Sequence, residues 1–202
     1  LEFRRVLFRS AEEILKQQSD ELVSMLALLQ IFELPVPKEA ISAVCDKMMD
    51  MEKHCKQAVV LGLLEVSEYQ GKTSYRVPRI LRNLLPDVED SESLEKAAYV
   101  LYETWVLKDE IKSEELYVEV YRLGKLGDSE KVCIGTGSTL AQLWLERGRY
   151  SDSLSLQVEV LQMQRRTLGD EHEDIARSLN TVALLYQFQG HYNEAEPLNV
   201  ER

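Results

Sequence analysis

The sequence is poor in residues that break helices. Nine glycines and five prolines occur in 202 residues, while Leu, Glu, Lys, Gln and Ala abound, so helix is favoured almost throughout. Cysteine is scarce too. Cys45, Cys55 and Cys133 are scattered and odd in number, which fits the reduced thiols of a cytoplasmic protein better than a disulfide framework. No C-x-x-C pair accompanies the neighbours His54 and Cys55, so a metal pair there competes with a helix that buries a small apolar cysteine. No apolar run approaches the roughly 20 residues that cross a bilayer, and no signal-peptide pattern is present. Basic residues are in deficit, 24 Lys and Arg against 35 Asp and Glu, for a net charge of −11. That balance repels phosphate backbones and acidic membrane surfaces, and so disfavours nucleic-acid partners.

What is present is ordinary for a globular chain: 45% apolar and 29% charged residues, enough to bury one large core or two small ones. The two ends stand apart. "LEFRRVLFRS" crowds Arg4, Arg5 and Arg9 among apolar residues ahead of an acidic chain. "RRVLFRS" resembles translated sequencing-adapter DNA, and the other reading is a basic amphipathic segment; residues 1–10 are set aside as an artefact. "HYNEAEPLNVER" stops inside a helical pattern, so the chain is expected to be a fragment.

Residues 11–90 read as one unit. "DELVSMLALLQIF" carries a helical stripe of Leu22, Met25, Leu26, Leu29 and Phe32, with Asp20 as its cap. Pro37 opens a second short helix, and a third runs from "MDMEKHC" to Gly62, a glycine suited to a helix end. "LLEVSEY" and "TSYRV" then read as a hairpin turning at Gly71, and "PRILRNLLPD" as a closing helix with Pro78 in its first turn. Three helices followed by a hairpin are the order of a winged helix. Such a unit reads DNA when its third helix is basic, but Lys53 and Lys56 are offset by Asp50 and Glu52. Lys72, Arg76, Arg79 and Arg82 make only a modest basic wing.

"QAVVLGLLEVSEYQGKTSYRVPRILRNLL" resembles the winged-helix portion of NB-ARC-type (STAND) signal-transduction ATPases, which ends in Y-R-M-H-D-L-L. Tyr75, Arg76 and Val77 match its first three positions, whereas Pro78 and Arg79 replace the nucleotide-sensing histidine and its aspartate. "FELPVPKEAISAVC" and "YRVPRIL" resemble bacterial members in which helical repeats follow. The resemblance implies an ATPase module upstream in the full protein. This chain itself has no Walker A pattern, so ATP hydrolysis is not assigned to it.

The strongest signal is an internal repeat. "TLAQLWLERGRYSDSLSL" and "TVALLYQFQGHYNEAEPL" align at a constant offset of 42 residues, pairing Ala141 with Ala183, Trp144 with Tyr186, Gly148 with Gly190, Tyr150 with Tyr192 and Ser153 with Ala195. The alanines admit close helix approach, the aromatics fill the space within a pair, the glycines end the first helix, and Tyr150 and Tyr192 pack the turn back onto it. The pattern resembles the tetratricopeptide repeat, and the 42-residue spacing with "RRTLGDEHEDIA" resembles its kinesin-light-chain subtype. Glu173 and Ile175 stand where that subtype has proline and valine. Residues 91–135, beyond the acidic boundary "LLPDVEDSES", read as a divergent capping segment out of register with the period; residues 136–202 are the repeats, the second truncated.

The expected fold is therefore mostly α, a winged-helix-like unit with a small hairpin followed by an α-solenoid. No catalytic arrangement, metal or cofactor is expected. His54, His172 and His191 fall in a helix, a connector and a turn, and the carboxylates around His172 in "GDEHED" read as a solvated joint capped by Asp174. What remains is surface recognition. Helix phase places Arg177, Asn180, Leu184 and Gln187 on one face; their counterparts are Gly135, Ser138, Gln142 and Leu145. In the family that the repeats resemble, an asparagine at the position of Asn180 bonds peptide backbone, and an amide both donates and accepts; Ser138 stands there in the first repeat. These positions are either the concave groove for a protein or peptide partner or ordinary solvated residues of a linking segment. The rival function is a DNA-binding regulator that uses the winged helix as its reader. The oligomeric state and the identity of the partner are not legible.

Overall fold

The computed structural model describes residues 10–45, 50–69, 71–88, 91–107 and 113–198; most of the basic start, residues 1–9, and the last four residues lie outside this set. The chain is mostly α, with a small antiparallel sheet. It forms two compact units that divide between Val100 and Leu101. No described helix is long and apolar enough to cross a membrane.

The first unit begins with α1 (10–16) and α2 (Asp20–Leu29). Ser19, not Asp20, caps α2: its hydroxyl accepts from the Leu22 amide at 3.3 Å. Asp20 sits one residue later, in the first turn, where the helix dipole favours a carboxylate. Leu22, Met25, Leu26, Leu29 and Phe32 are all buried to 2% exposure or less, so the apolar stripe is the core face. α3 (Lys38–Val44) follows directly on Pro37, its N-cap residue, and α4 (Met51–Val60) follows Asp50. Gly62 ends α4 at φ +70°, with the Leu63 amide reaching back to the Ala58 carbonyl at 2.8 Å, the bond that closes a left-handed helix terminus.

β2 (Glu65–Tyr69) and β3 (Lys72–Arg76) form the expected hairpin, with Val66 opposite Tyr75 and the turn at Gly71. A third strand is added that the sequence does not announce. β1 (Val36–Pro37) pairs antiparallel with β3, Val36 opposite Tyr75, giving the sheet order β1-β3-β2. The closing helix expected over "PRILRNLLPD" does not form. Leu81 bonds Pro78 and Leu84 bonds Leu81, both three residues back, and the segment is a run of turns. Pro86 cannot extend a helix past Leu85, which leaves too few residues to repay nucleation. α5 (Ser91–Leu101) follows.

In the second unit a π-helical turn (Tyr102–Val106) precedes α6 (Glu114–Leu126), α7 (Glu130–Glu146), α8 (Tyr150–Leu168), α9 (Glu173–Phe188) and α10 (Tyr192–Leu198). From α6 onward each helix packs on the next. Gly148 (φ +75°) and Gly190 (φ +79°) end α7 and α9 identically: Arg149 bonds the Trp144 carbonyl, and His191 bonds the Tyr186 carbonyl. The period also extends further back than the sequence pattern suggested. Leu126-Gly127-Asp128 after α6 repeats in sequence as Leu168-Gly169-Asp170 after α8, 42 residues later, although the positive φ falls on Asp128 in the first and on Gly169 in the second. Buried Cys133, Thr136 and Leu140 on α7 match buried Ile175, Ser178 and Val182 on α9.

The packing positions behave unequally. Ala141, Ala183 and Ala195 are buried. Tyr186 is half-buried against Leu161, Ile175, Leu179 and Val182. Trp144 donates its indole N–H to Glu114 at 2.8 Å, under the Arg149 guanidinium. Tyr150 stacks on Phe188 at 5.0 Å and 9°, so its partner comes from the following helix pair. Tyr192, its counterpart, is 68% exposed; it does not pack back onto its own turn.

Candidate functional site

Polar side chains at helical spacing on three successive helices enclose a cavity of about 310 Å³. α7 contributes Ile134, Gly135, Ser138 and Gln142, one face by their spacing of three and four. α9 contributes Asp174, Arg177, Ser178 and Thr181. The floor is α8, whose Gln157 and Gln164 stand two turns apart.

The floor is wired. The Gln157 amide donates to the Ser178 hydroxyl at 2.9 Å, and that hydroxyl donates to the Gln164 carbonyl at 2.7 Å. All three residues are buried to 4% exposure, a depth at which a polar group without a partner is costly. On the rim, the Arg177 guanidinium pairs with Glu173 at 3.1 Å and Asp174 at 3.2 Å, so its charge is already compensated. Gln142 donates to Glu146 at 3.2 Å. Two glycines let α7 approach its other neighbours: a Cβ on Gly135 would clash with the Tyr102 hydroxyl of the π-helical turn, and one on Gly137 would lie 2.6 Å from a Val160 methyl of α8.

Of the residues read from the sequence as groove, Ser138, Gln142 and Arg177 meet in this cavity. Asn180 is half-buried, Gln187 is exposed and Leu184 is 41% exposed; none of the three lines it. The 42-residue offset explains the split. Ser138 and Gln142 form the face that α7 turns towards α9, and Asn180 and Leu184 form the equivalent face of α9, on the flank away from α7. The opposite wall comes from the other flank of α9, which phase alone does not identify. Gln157 and Gln164 were also missed, although two glutamines seven residues apart within the stripe Leu156, Val160, Leu161 and Met163 are a legible interruption.

Elsewhere the chemistry resolves into structure. His172 is the N-cap of α9, its Nδ1 accepting from the Asp174 amide at 3.2 Å; the sequence had given that role to Asp174. Cys55 is buried, its thiol directed to Met51 and Met25 sulfurs. His54 Nε2 lies 3.2 Å from Glu21. Glu114 receives Trp144, Arg149 and Arg147 together, and these partners, the indole hydrogen bond foremost, hold its carboxyl below the usual range. In the first unit Lys53 and Lys56 border an open depression with Gln57 and Val60. Arg76 and Arg82, two of the four residues of the expected basic wing, donate to the Glu33 and Phe32 carbonyls at 3.1 and 2.8 Å.

No curated protein is significantly similar to the chain. Residues 136–200, from within α7 through α10, match the family model of the tetratricopeptide repeat, which supports reading this helical stack as a protein–protein interaction repeat.

Proposed function

We propose that the chain is a recognition module that holds an extended segment of a protein partner along the wall formed by α7 and α9, without a catalytic step of its own. The observation that carries this reading is the cavity between two helices of the repeat, with Ser138, Gln142, Arg177 and Thr181 on its walls. Hydroxyl and amide groups at that spacing suit the alternating donors and acceptors of an extended backbone. The repeat match and the consecutive helix packing support the same reading.

After α1, the first unit fits a winged helix in its order, α2, α3 and α4 and then a hairpin, with β1 laid against β3. Together with Tyr75-Arg76-Val77 this supports placing the chain in an NB-ARC-type regulator of the kinesin-light-chain-like repeat class, in which groove occupancy is passed to an ATPase module. The test of the groove is selection of binders from a random peptide library on the full chain, followed by Ser138→Trp, which fills the cavity. Loss of binding with unchanged stability supports the reading; binding that survives the tryptophan removes it.

A DNA-reading role for the first unit has one observation in its favour: Lys53 and Lys56 on α4 carry no ion-pair partner among the described residues. Mobility shift at low salt tests it, and a tight shift lost in the Lys53→Ala/Lys56→Ala double variant would establish it over the peptide reading.

A further inference from the structure

The floor of the cavity carries a more specific message than its rim. Ser178 has one hydroxyl proton, which it gives to Gln164, and it accepts one from Gln157. The chain Gln157–Ser178–Gln164 therefore leaves the Gln157 carbonyl oxygen and that amide's second N–H at one end, and the two N–H donors of Gln164 at the other. Neither end has a further partner among the described residues, and both side chains line the cavity while being 4% exposed. Exchanging O and N in both amides reverses the chain but preserves its character, a free carbonyl oxygen at one end and a free NH2 at the other. We infer that this floor is a receptor for a primary carboxamide, the side chain of a glutamine or asparagine on the bound partner segment.

Other ligand chemistries fit less well. A carboxylate would find one cation among the described lining residues, Arg177 on the rim, shared with Glu173 and Asp174, and would set one of its oxygens against the Gln157 carbonyl, acceptor against acceptor. An ammonium group would find its carboxylate, Asp174, on the rim and shared with Arg177, and would meet N–H donors rather than a carboxylate at the floor. An apolar anchor would strip water from the Gln157 and Gln164 termini and leave them without partners, the costly outcome for buried polar groups. A main-chain amide also matches poorly, because in a trans peptide N–H and C=O point in opposite directions. A primary carboxamide presents N–H and C=O along one edge, towards one wall. The cavity, about 310 Å³, falls at the lower end of the range of ligand sites, enough for such a side chain and not for a large aromatic with its flanking backbone.

The inference rests on the peptide-groove reading and adds the identity of its anchor. Its test uses the full chain and peptides selected from a random library. Each Gln or Asn of a selected peptide is replaced in turn by Leu and by Glu. At one position either replacement is expected to weaken binding about tenfold or more, as a site built to hydrogen-bond rejects analogues that lack the group. On the protein side, Gln164→Met is expected to weaken the Gln peptide to the level of its Leu analogue and to leave the Leu analogue unchanged. Because the peptide replacements leave the protein intact, failure of Gln164→Met to fold does not shield the inference. Peptides that bind in the groove without a carboxamide, or that tolerate Leu at every Gln and Asn, overturn the inference and leave the groove standing. Absence of any peptide binding overturns both.

Discussion

The Ser153 hydroxyl donates to the Ala141 carbonyl oxygen at 2.7 Å, with both residues fully buried. This bond ties α8 to α7 at the point where two small residues let the helices touch. Forty-two residues later the pair is Ala183 and Ala195, and the hydroxyl is gone. The contact is therefore steric in both repeats, and the hydrogen bond is an addition in the first. Ser153→Ala should cost about 1 kcal/mol, the net worth of one such bond, with the fold intact. Ser153→Leu should cost more, about 1–3 kcal/mol from overpacking. Urea unfolding measures both, and equal effects would mean that the site is not tightly packed.

Gly137 makes a similar demand without a hydrogen bond. Alanine in a helix interior gains about 1 kcal/mol over glycine from propensity alone, yet its methyl here would lie 2.6 Å from Val160 Cγ2 and 3.0 Å from Tyr121. Val160 is fully buried and β-branched, so it has little freedom to turn away. Gly137→Ala is expected to destabilise, by about 1–3 kcal/mol, and to be partly rescued by Val160→Ala. A stabilising Gly137→Ala would show that α7 and α8 are further apart than described.

Glu114 makes the packing of α6 on α7 sensitive to pH. The Trp144 indole, then Arg149 and Arg147, hold its carboxyl below the ordinary value near 4.5. A carboxylate depressed in the folded state binds fewer protons there than in the unfolded chain at intermediate pH. Its contribution is therefore complete above about pH 4.5 and is lost as pH falls through the depressed value. Glu114→Gln should lower stability at pH 7 and flatten the acid limb of the stability profile. A variant profile parallel to the parent between pH 5 and 2 would contradict this.

All three cysteines are buried, and burial pushes the Cys133 thiol up to about 11. At pH 8 the folded protein should react with a thiol reagent only through opening, and all three thiols should appear on denaturation. Rapid labelling of Cys133 in the native state would contradict the described packing of α6, α7 and α8.

How much of this was legible follows from how local each feature is. Helix stripes, the glycine ends at Gly62, Gly148 and Gly190, and the hairpin at Gly71 are set by a few adjacent residues, so they read directly. β1 did not, because two residues, Val36 and Pro37, become a strand only by meeting Tyr75 and Ser74 from far along the chain. The expected helix after Pro78 failed because three-residue turns satisfy its backbone before Pro86 ends it. At the candidate site, periodicity gave the phase of each helix but not which flank meets which. It therefore found Ser138, Gln142 and Arg177, grouped them with Asn180, Leu184 and Gln187, and missed Ser178, Thr181 and the two glutamines of the floor.

The most direct test of the central claim is amide and side-chain chemical-shift mapping of the full chain as a selected peptide is added. The account expects shifts at Ser138, Gln142, Arg177 and Thr181, and in the side-chain amides of Gln157 and Gln164, with Lys53, Lys56 and Val60 unmoved. Shifts confined to α4, or to the outer faces of the repeat with the α7–α9 wall silent, would contradict it.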